Sequence, residues 1–347
     1  MFHALRGALG YRYLGNKTNL APWIVEVASS IVTRGATVAD LMCGTASVAE
    51  AFARAHYSVH AADELRFPGV HARVRLRKTQ PKFGRFAKGY AGALRALNMA
   101  RPRKRLFHRE YSPGGTPNGR FRPRSYFSPE NAAKIDGIRA TIAEWRDEGR
   151  ITSSETELLL HDLILAVNDV ANIAGTYGYF RSGWNRSSLA PLVLKQTAFC
   201  WTPGTHRVSQ GKVETLIKTV EADLCYLDPP YTKRQYAGQY HIPETLALGD
   251  EPKPVGEGGL RDWYPNSSAF CSKRHVEQAF REVLGRSTVE HLLISYSEDG
   301  LLGADVMRDL FSQFGQVTCY TKSRSRYRSN GGKSEPLHEY LYHVRRR

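Results

Sequence analysis

The chain has 347 residues, with 49 lysines and arginines against 33 acids, a formal charge of +16, and 41% hydrophobic and 24% charged residues. That is the composition of an ordinary globular protein, with ample core for one large domain or two modest ones. It argues against a membrane-spanning helix, because no run approaches the roughly 18 apolar residues a span needs.

The opening MFHALRGALG lacks the pattern of an export signal, and the five cysteines are far apart with no CxxC pair. Both point to a cytoplasmic protein with reduced thiols, and against a zinc site or disulfide framework. In chain order, NLAPWIVEVASSIV places Leu20, Trp23, Ile24, Val27 and Ile31 at helical spacing. ATVADLM reads as a strand, SVAEAFARAH as a helix and YSVHAAD as a second strand. Strand, helix and strand in so short a stretch make a βαβ unit and imply a parallel sheet.

Residues 66–125 break this rhythm with 17 Lys or Arg and a single acid, Glu110. Such a block is the footprint of a polyanion partner. A solvated, disordered segment is the alternative, but the interleaved Phe83, Phe86, Tyr90, Leu94, Leu97, Phe107 and Tyr111 speak against it. SPGGTPNGRFRPRS reads as a mobile or extended loop. A helix then starts at Ser128 as N-cap, with Pro129 and Glu130 in its first turn and a buried stripe of Ile135, Ile138, Ile142 and Trp145. In the next helix Ser154 and Glu157 fit a capping box and Gly175 a terminating residue. Alternation returns near residue 205, with strands in DLCYLD and HLLISYS, helices in SKRHVEQAFREVLG and ADVMRDLFSQFG, and a closing pair QVTCYTK and EYLYHV. The expectation is an α/β sheet interrupted after its second strand.

Asp40 ends a strand before a small-residue turn through Gly44 and Thr45, and Asp63 ends the next strand. Ligands of parallel sheets bind beyond such strand ends, and a carboxylate at Asp63 is placed for the hydroxyls of a ribose. The turn is not GxGxxG, which disfavours a dinucleotide. GYRYLGNKT misses the phosphate-loop pattern because Asn16 displaces Lys17, and no apolar strand precedes it.

The ordered set YLGNK, DLMCGT, Asp63, a long basic insert and DPPY resembles the D12 class of DNA adenine-N6 methyltransferases. YFSPENAAKIDGIRATIAEW, NIAGTYGYF, RQYAGQYHIPETLAL, ISYSEDGLL and RYRSN are similar to stretches of the Fok-type modification methylases. The resemblance implies a Rossmann-like class I methyltransferase sheet formed by residues 1–65 and 201–347, with S-adenosylmethionine as cofactor. Residues 66–200 would be the inserted target-recognition region. It further implies double-stranded DNA as partner, and a restriction–modification system with its cognate endonuclease or an orphan methylation system. An RNA base methyltransferase and a catalytically inactive DNA-binding relative are the alternatives.

By motif, the resemblance assigns Tyr13, Gly15 and Lys17 to the methionine end of the cofactor. Asp40, Cys43, Gly44 and Thr45 form the turn beneath it, Asp63 holds the ribose, and Gln210 lies near the adenine. Ala46 stands where the family usually has glycine, which should narrow the turn. Within DPPY, Asp228 and the Pro229 carbonyl offer an exocyclic amine two acceptors, while Pro229 and Pro230 supply no donor. Tyr231 is placed to stack on a base flipped out of the duplex. Aromatic and basic groups make DNA-contact candidates of Arg122, Arg124, Arg234 and Tyr236, of Tyr177, Tyr179, Arg181 and Trp184 in TYGYFRSGWNRSS, where a core-lining loop is the alternative, and of Arg324, Arg326 and Arg328 in a basic loop, where a solvated hairpin end is the alternative. His241 is either structural or a DNA contact.

Overall fold

A computed structural model describes residues 11–119, 121–199, 202–325 and 336–346. In chain order, α1 (Ala21–Ser29), β1 (Thr37–Asp40), α2 (Ser47–Arg54) and β2 (Ser58–Asp63) precede α3 (Arg66–Arg75), α4 (Gly89–Asn98), α5 (Leu106–Tyr111), α6 (Pro129–Asp147) and α7 (Ser153–Val170). Then come β3 (His206–Gln210), α8 (Val213–Leu216), β4 (Leu224–Leu227), α9 (Tyr236–Gln239) and α10 (His241–Leu248). The chain closes with α11 (Val276–Arg286), β5 (His291–Ser297), α12 (Ala304–Ser312), β6 (Gly315–Ser325) and β7 (Pro336–Arg346).

These elements form two compact units. The sheet unit holds residues 15–72, 202–236 and the described residues from 266 onward. The helical unit holds residues 11–14, 73–199 and 237–265. The second unit therefore takes in residues 237–265, which the sequence assigns to the catalytic part.

In the sheet unit the strand order is β3-β2-β1-β4-β5-β7-β6, with β7 antiparallel to both neighbours and the pairs among β1 to β5 parallel. β4 is buried throughout, as a parallel strand covered on both faces should be. One face packs on Phe52 of α2, whose ring meets Tyr226 of β4 at 6.1 Å, and the other on Ile217, Phe280, Val283, Leu310 and Phe311 beside α8, α11 and α12. Strand order reverses between β1 and β4, which makes their carboxyl ends the switch point where such sheets bind ligands.

In the helical unit Ser128 Oγ accepts from the Asn131 amide at 3.2 Å and caps α6 as the sequence predicts. The next cap differs. The box is Thr152 with Glu155, two residues earlier than Ser154 with Glu157, and Glu157 pairs with Arg73 at 3.1 Å. α7 also ends at Val170, well short of Gly175. The Arg12 guanidinium donates to the carbonyls of Ala171 and Ile173, at 3.1 Å each, placing a cation at the negative end of the helix.

The basic stretch is folded. Phe83, Tyr90, Leu94, Leu97, Phe107 and Tyr111 are buried, and α4 and α5 carry most of them. Asp136 caps α5 by accepting from the amides of Arg105, Phe107 and His108 at 3.0, 3.0 and 2.9 Å. Lys78, Lys82, Arg85, Lys88, Arg95, Arg101, Lys104, Arg105 and Arg122 point to solvent.

Candidate active site

β4 delivers Asp228 to the switch point, and the two prolines that follow fix the turn. Lys17 Nζ lies 2.8 Å from Asp228 Oδ1 and 3.3 Å from the Gly15 carbonyl, and 5.3 Å from the centre of the Tyr231 ring. Burial works against the Lys17 charge, but Asp228, Tyr231 and Glu339 outweigh it and hold the ammonium above its ordinary value. Burial likewise pushes Asp228 up, opposed by Lys17 and by a hydrogen bond from Ser295. Gly15 has φ +68°, and a Cβ there would stand 3.1 Å from Tyr236 Oη and 3.7 Å from Tyr231. Only glycine brings the chain this close to both rings. The loop that follows Pro230 is tied down by Leu301 N donating to the Tyr231 carbonyl at 3.1 Å and by Gln235 bonding both ways with Ser268.

The β1–α2 turn supplies the other wall. Asp40 is buried, and burial followed by the nearby Asp228 and Asp63 raises its carboxyl well above the usual range, against the amides of Met42 and Ala49. The Cys43 thiol is likewise raised by burial and by Asp63 and Asp40, so it is no nucleophile. Thr45 is buried beside it. Asp63 accepts from Gly44 N through Oδ2 and from Leu65 N through Oδ1, each at 3.0 Å, which fixes the carboxylate's plane. Gly44 and Ala46 both take left-handed torsions, φ +50° and +59°. For alanine this strains the backbone by about 1 kcal/mol, so the departure from glycine acts on the turn's torsion. Gln210 pairs in register with Asp63, and its side chain donates to the Glu64 carbonyl at 3.1 Å.

The remaining predicted residues divide. Tyr13 lies in the helical unit, stacked on Tyr240 at 4.6 Å. Tyr236 and Arg234 sit in the catalytic loop's unit, and Arg122, Tyr179, Arg181 and Trp184 are exposed in the helical unit. Two assignments are corrected. Arg124 is fully buried, paired with Glu110 at 3.1 Å, so it cannot reach DNA. His241 is also fully buried, its Nε2 2.9 Å from the Tyr177 carbonyl, and burial lowers its pKa to about 3, so it is a neutral core residue. Tyr177 is buried too, leaving Tyr179 and Trp184 as the exposed rings of that loop. The Arg324 backbone lies in β6, whereas Arg326 and Arg328 fall outside the described residues. Ser295 escapes sequence reasoning because only the β4–β5 register, Leu227 beside Ile294, brings it next to Asp228.

Acids at the carboxyl ends of β1, β2 and β4, the last of them lysine-paired on a proline-fixed turn, are the arrangement expected of a class I methyltransferase. Residues 13–298 match the D12 class of N6 adenine-specific DNA methyltransferases, and the chain belongs to that family. It is 31% identical to the type II methyltransferase M.FokI of Planomicrobium okeanokoites, covering 96% of this chain and 52% of that protein. It is 30% identical to the type II methyltransferase M.NlaIII of Neisseria lactamica, over 95% and 98% of the two chains. With the modification methylase LlaI of Lactococcus lactis subsp. lactis the figures are 32%, 96% and 55%. The chain thus spans about half the length of the first and third of these relatives and nearly all of the second. S-adenosylmethionine is the methyl donor of the family. The site suits it: Asp40, repelled by both Asp228 and Asp63, together with a single lysine favours a ligand of net positive charge, as this sulfonium is.

Proposed function

We propose that this chain methylates N6 of adenine at specific sites in duplex DNA, acting on a base rotated out of the helix. Asp63 would hold the ribose, Gln210 would lie near the adenine of the cofactor, and Gly15, Lys17 and Tyr13 would serve its methionine end. Bound S-adenosylmethionine supplies an electrophilic methyl group. The chain's own task is to make a poor nucleophile competent, because the lone pair of an exocyclic amine is delocalised into its ring. The Asp228 carboxylate and the Pro229 carbonyl accept the amine's hydrogens and favour a pyramidal nitrogen. They also stabilise the positive charge that develops on it. Tyr231 stacks on the extruded base. The observation that carries this reading is the Lys17–Asp228 pair, in which a buried ammonium holds a partly buried carboxylate ready as an acceptor.

The modification methylases among the relatives support a restriction–modification setting, with a cognate endonuclease as partner and a cytoplasmic location. No helix among the described residues is long and apolar enough to cross a membrane. Incubation with labelled cofactor and duplex DNA, followed by digestion to nucleosides, tests the reaction. Label is expected in N6-methyladenine; label in N4-methylcytosine, or none, overturns it.

A further inference from the structure

Four successive carbonyls of one surface turn in the helical unit are held from below by buried side chains. Val255 and Leu260 pair across a hairpin at 2.8 and 3.0 Å, with Gly256 and Gly259 at φ +69° and +65°. Arg124 donates to the carbonyls of Gly256 and Glu257 at 3.0 and 2.9 Å. Tyr126 Oη bonds the Gly258 carbonyl at 2.9 Å and Tyr111 Oη the Gly259 carbonyl at 3.0 Å. The fit is close: a Cβ on Gly259 would stand 2.7 Å from Arg124 Nε, and one on Gly258 3.0 Å from the Gly178 carbonyl. Few exposed turns are fixed so firmly, and rigid presentation is what a recognition element requires.

The groups presented are specific. Val255, Tyr179 and Phe121 are 51%, 52% and 37% exposed. Phe121 and Val255 line a cavity together with Asn118, Lys253 and Pro254, and exposed Arg122 follows Phe121 in the chain. An exposed apolar cluster beside cations marks an interaction surface. Glu257 is exposed beside Tyr179, whose Oη lies 3.5 Å from Glu257 Oε2. A carboxylate has no donor to offer a phosphate and is repelled by it. On DNA it can only accept from a base amine.

We propose that this hairpin is a base-reading element, with Glu257 accepting a hydrogen bond from the exocyclic amine of a base in the recognition sequence. The proposal rests on the DNA-methylating reading above and names part of what gives it sequence preference. It also gives Arg124 a role, since that residue holds the element that touches DNA.

The test maps methylation across a randomised duplex library with the wild type, Glu257→Gln and Val255→Ala, with cofactor affinity measured in parallel. Glu257→Gln is expected to lower discrimination at one position of the recognition sequence by about 10- to 100-fold, with cofactor affinity unchanged. Val255→Ala, at an exposed apolar site that cannot read an amine, is expected to lower the rate on all sites alike. A Glu257→Gln profile that superimposes on the wild type overturns the proposal and leaves the patch to a protein partner. A uniform loss in Glu257→Gln also overturns it, since the contact would then position without reading. If the wild type methylates no DNA adenine, it is the reaction assignment that has failed.

Discussion

Lys17 Nζ and Asp228 Oδ1 stand 2.8 Å apart, joining two motifs separated by 211 residues in the chain. The pair opposes the burial that raises the Asp228 carboxyl. Transfer needs that carboxyl ionised, so activity must fall as pH drops through its pKa. Lys17→Met removes the opposing charge and moves this acid limb to higher pH. Near neutrality we expect a loss of about 100-fold in the single-turnover rate. Lys17→Arg keeps the charge and should leave the limb nearly in place. A rate loss in Lys17→Met with an unmoved acid limb would show that Lys17 does not act through Asp228.

Cofactor binding should release protons. Asp40 is raised by burial and by its neighbours Asp228 and Asp63, so in the free protein it holds its proton to higher pH than an exposed carboxyl does. A cation entering the site favours the ionised form, and the carboxyl's pKa falls. Between the free and bound values the proton is therefore lost to solvent. Calorimetry with S-adenosylmethionine in two buffers of different ionisation enthalpy measures the sign. Release is expected, and Asp40→Asn should diminish it; net uptake by the wild type would contradict the account.

Much of this site was legible because its signals are local. β1, β2, β4 and β5 are apolar runs that end at acids or small polar residues, and strand ends are where a parallel sheet exposes side chains to a ligand. β3, HRVSQ, was not, because as an edge strand it alternates only weakly between half-buried and exposed positions. α3 to α5 were hidden by charge, since an arginine-bearing helix face and a basic loop look alike without the packing beneath. The α7 cap was misread because TSSE and SETE both satisfy the capping pattern, and the structure resolves the choice at Glu155, which also accepts from the Phe83 amide. Arg124 was beyond reach altogether. Its burial depends on Glu110, 14 residues away, and on carbonyls more than 130 residues away.

That buried pair has a measurable consequence. Arg124→Ala removes the buried one of the two arginines that pair with the Glu110 carboxylate, leaving the half-exposed Arg109 at 3.0 Å, and releases the hairpin carbonyls, at a cost of about 3 kcal/mol. Replacing both buried partners by apolar residues, Arg124→Met with Glu110→Leu, removes the under-compensated buried charge and leaves only the half-exposed Arg109 to find solvent, so it should recover part of that loss. Urea midpoints of the two variants decide the matter. Equal midpoints for the single and the double variant would mean that the ion pair itself matters little.

DNA affinity should fall steeply with salt, because nine cations of the basic stretch point to solvent. Neutralising even six phosphates implies a loss of about a thousandfold between about 50 and 200 mM salt. The structure also separates cations that can take part from those already engaged. Arg73 pairs with Glu157 at 3.1 Å and Arg103 with Glu144 at 2.7 Å. Lys82, Arg85 and Lys88 are exposed around the start of α4. Replacing those three by alanine should make the slope of log affinity against log salt shallower by about 2.7 if each meets a phosphate. Arg73→Ala should leave the slope where it was. Filter binding across a salt series compares the two, and a triple variant with the wild-type slope would remove the amino-terminal part of the basic stretch from the DNA interface.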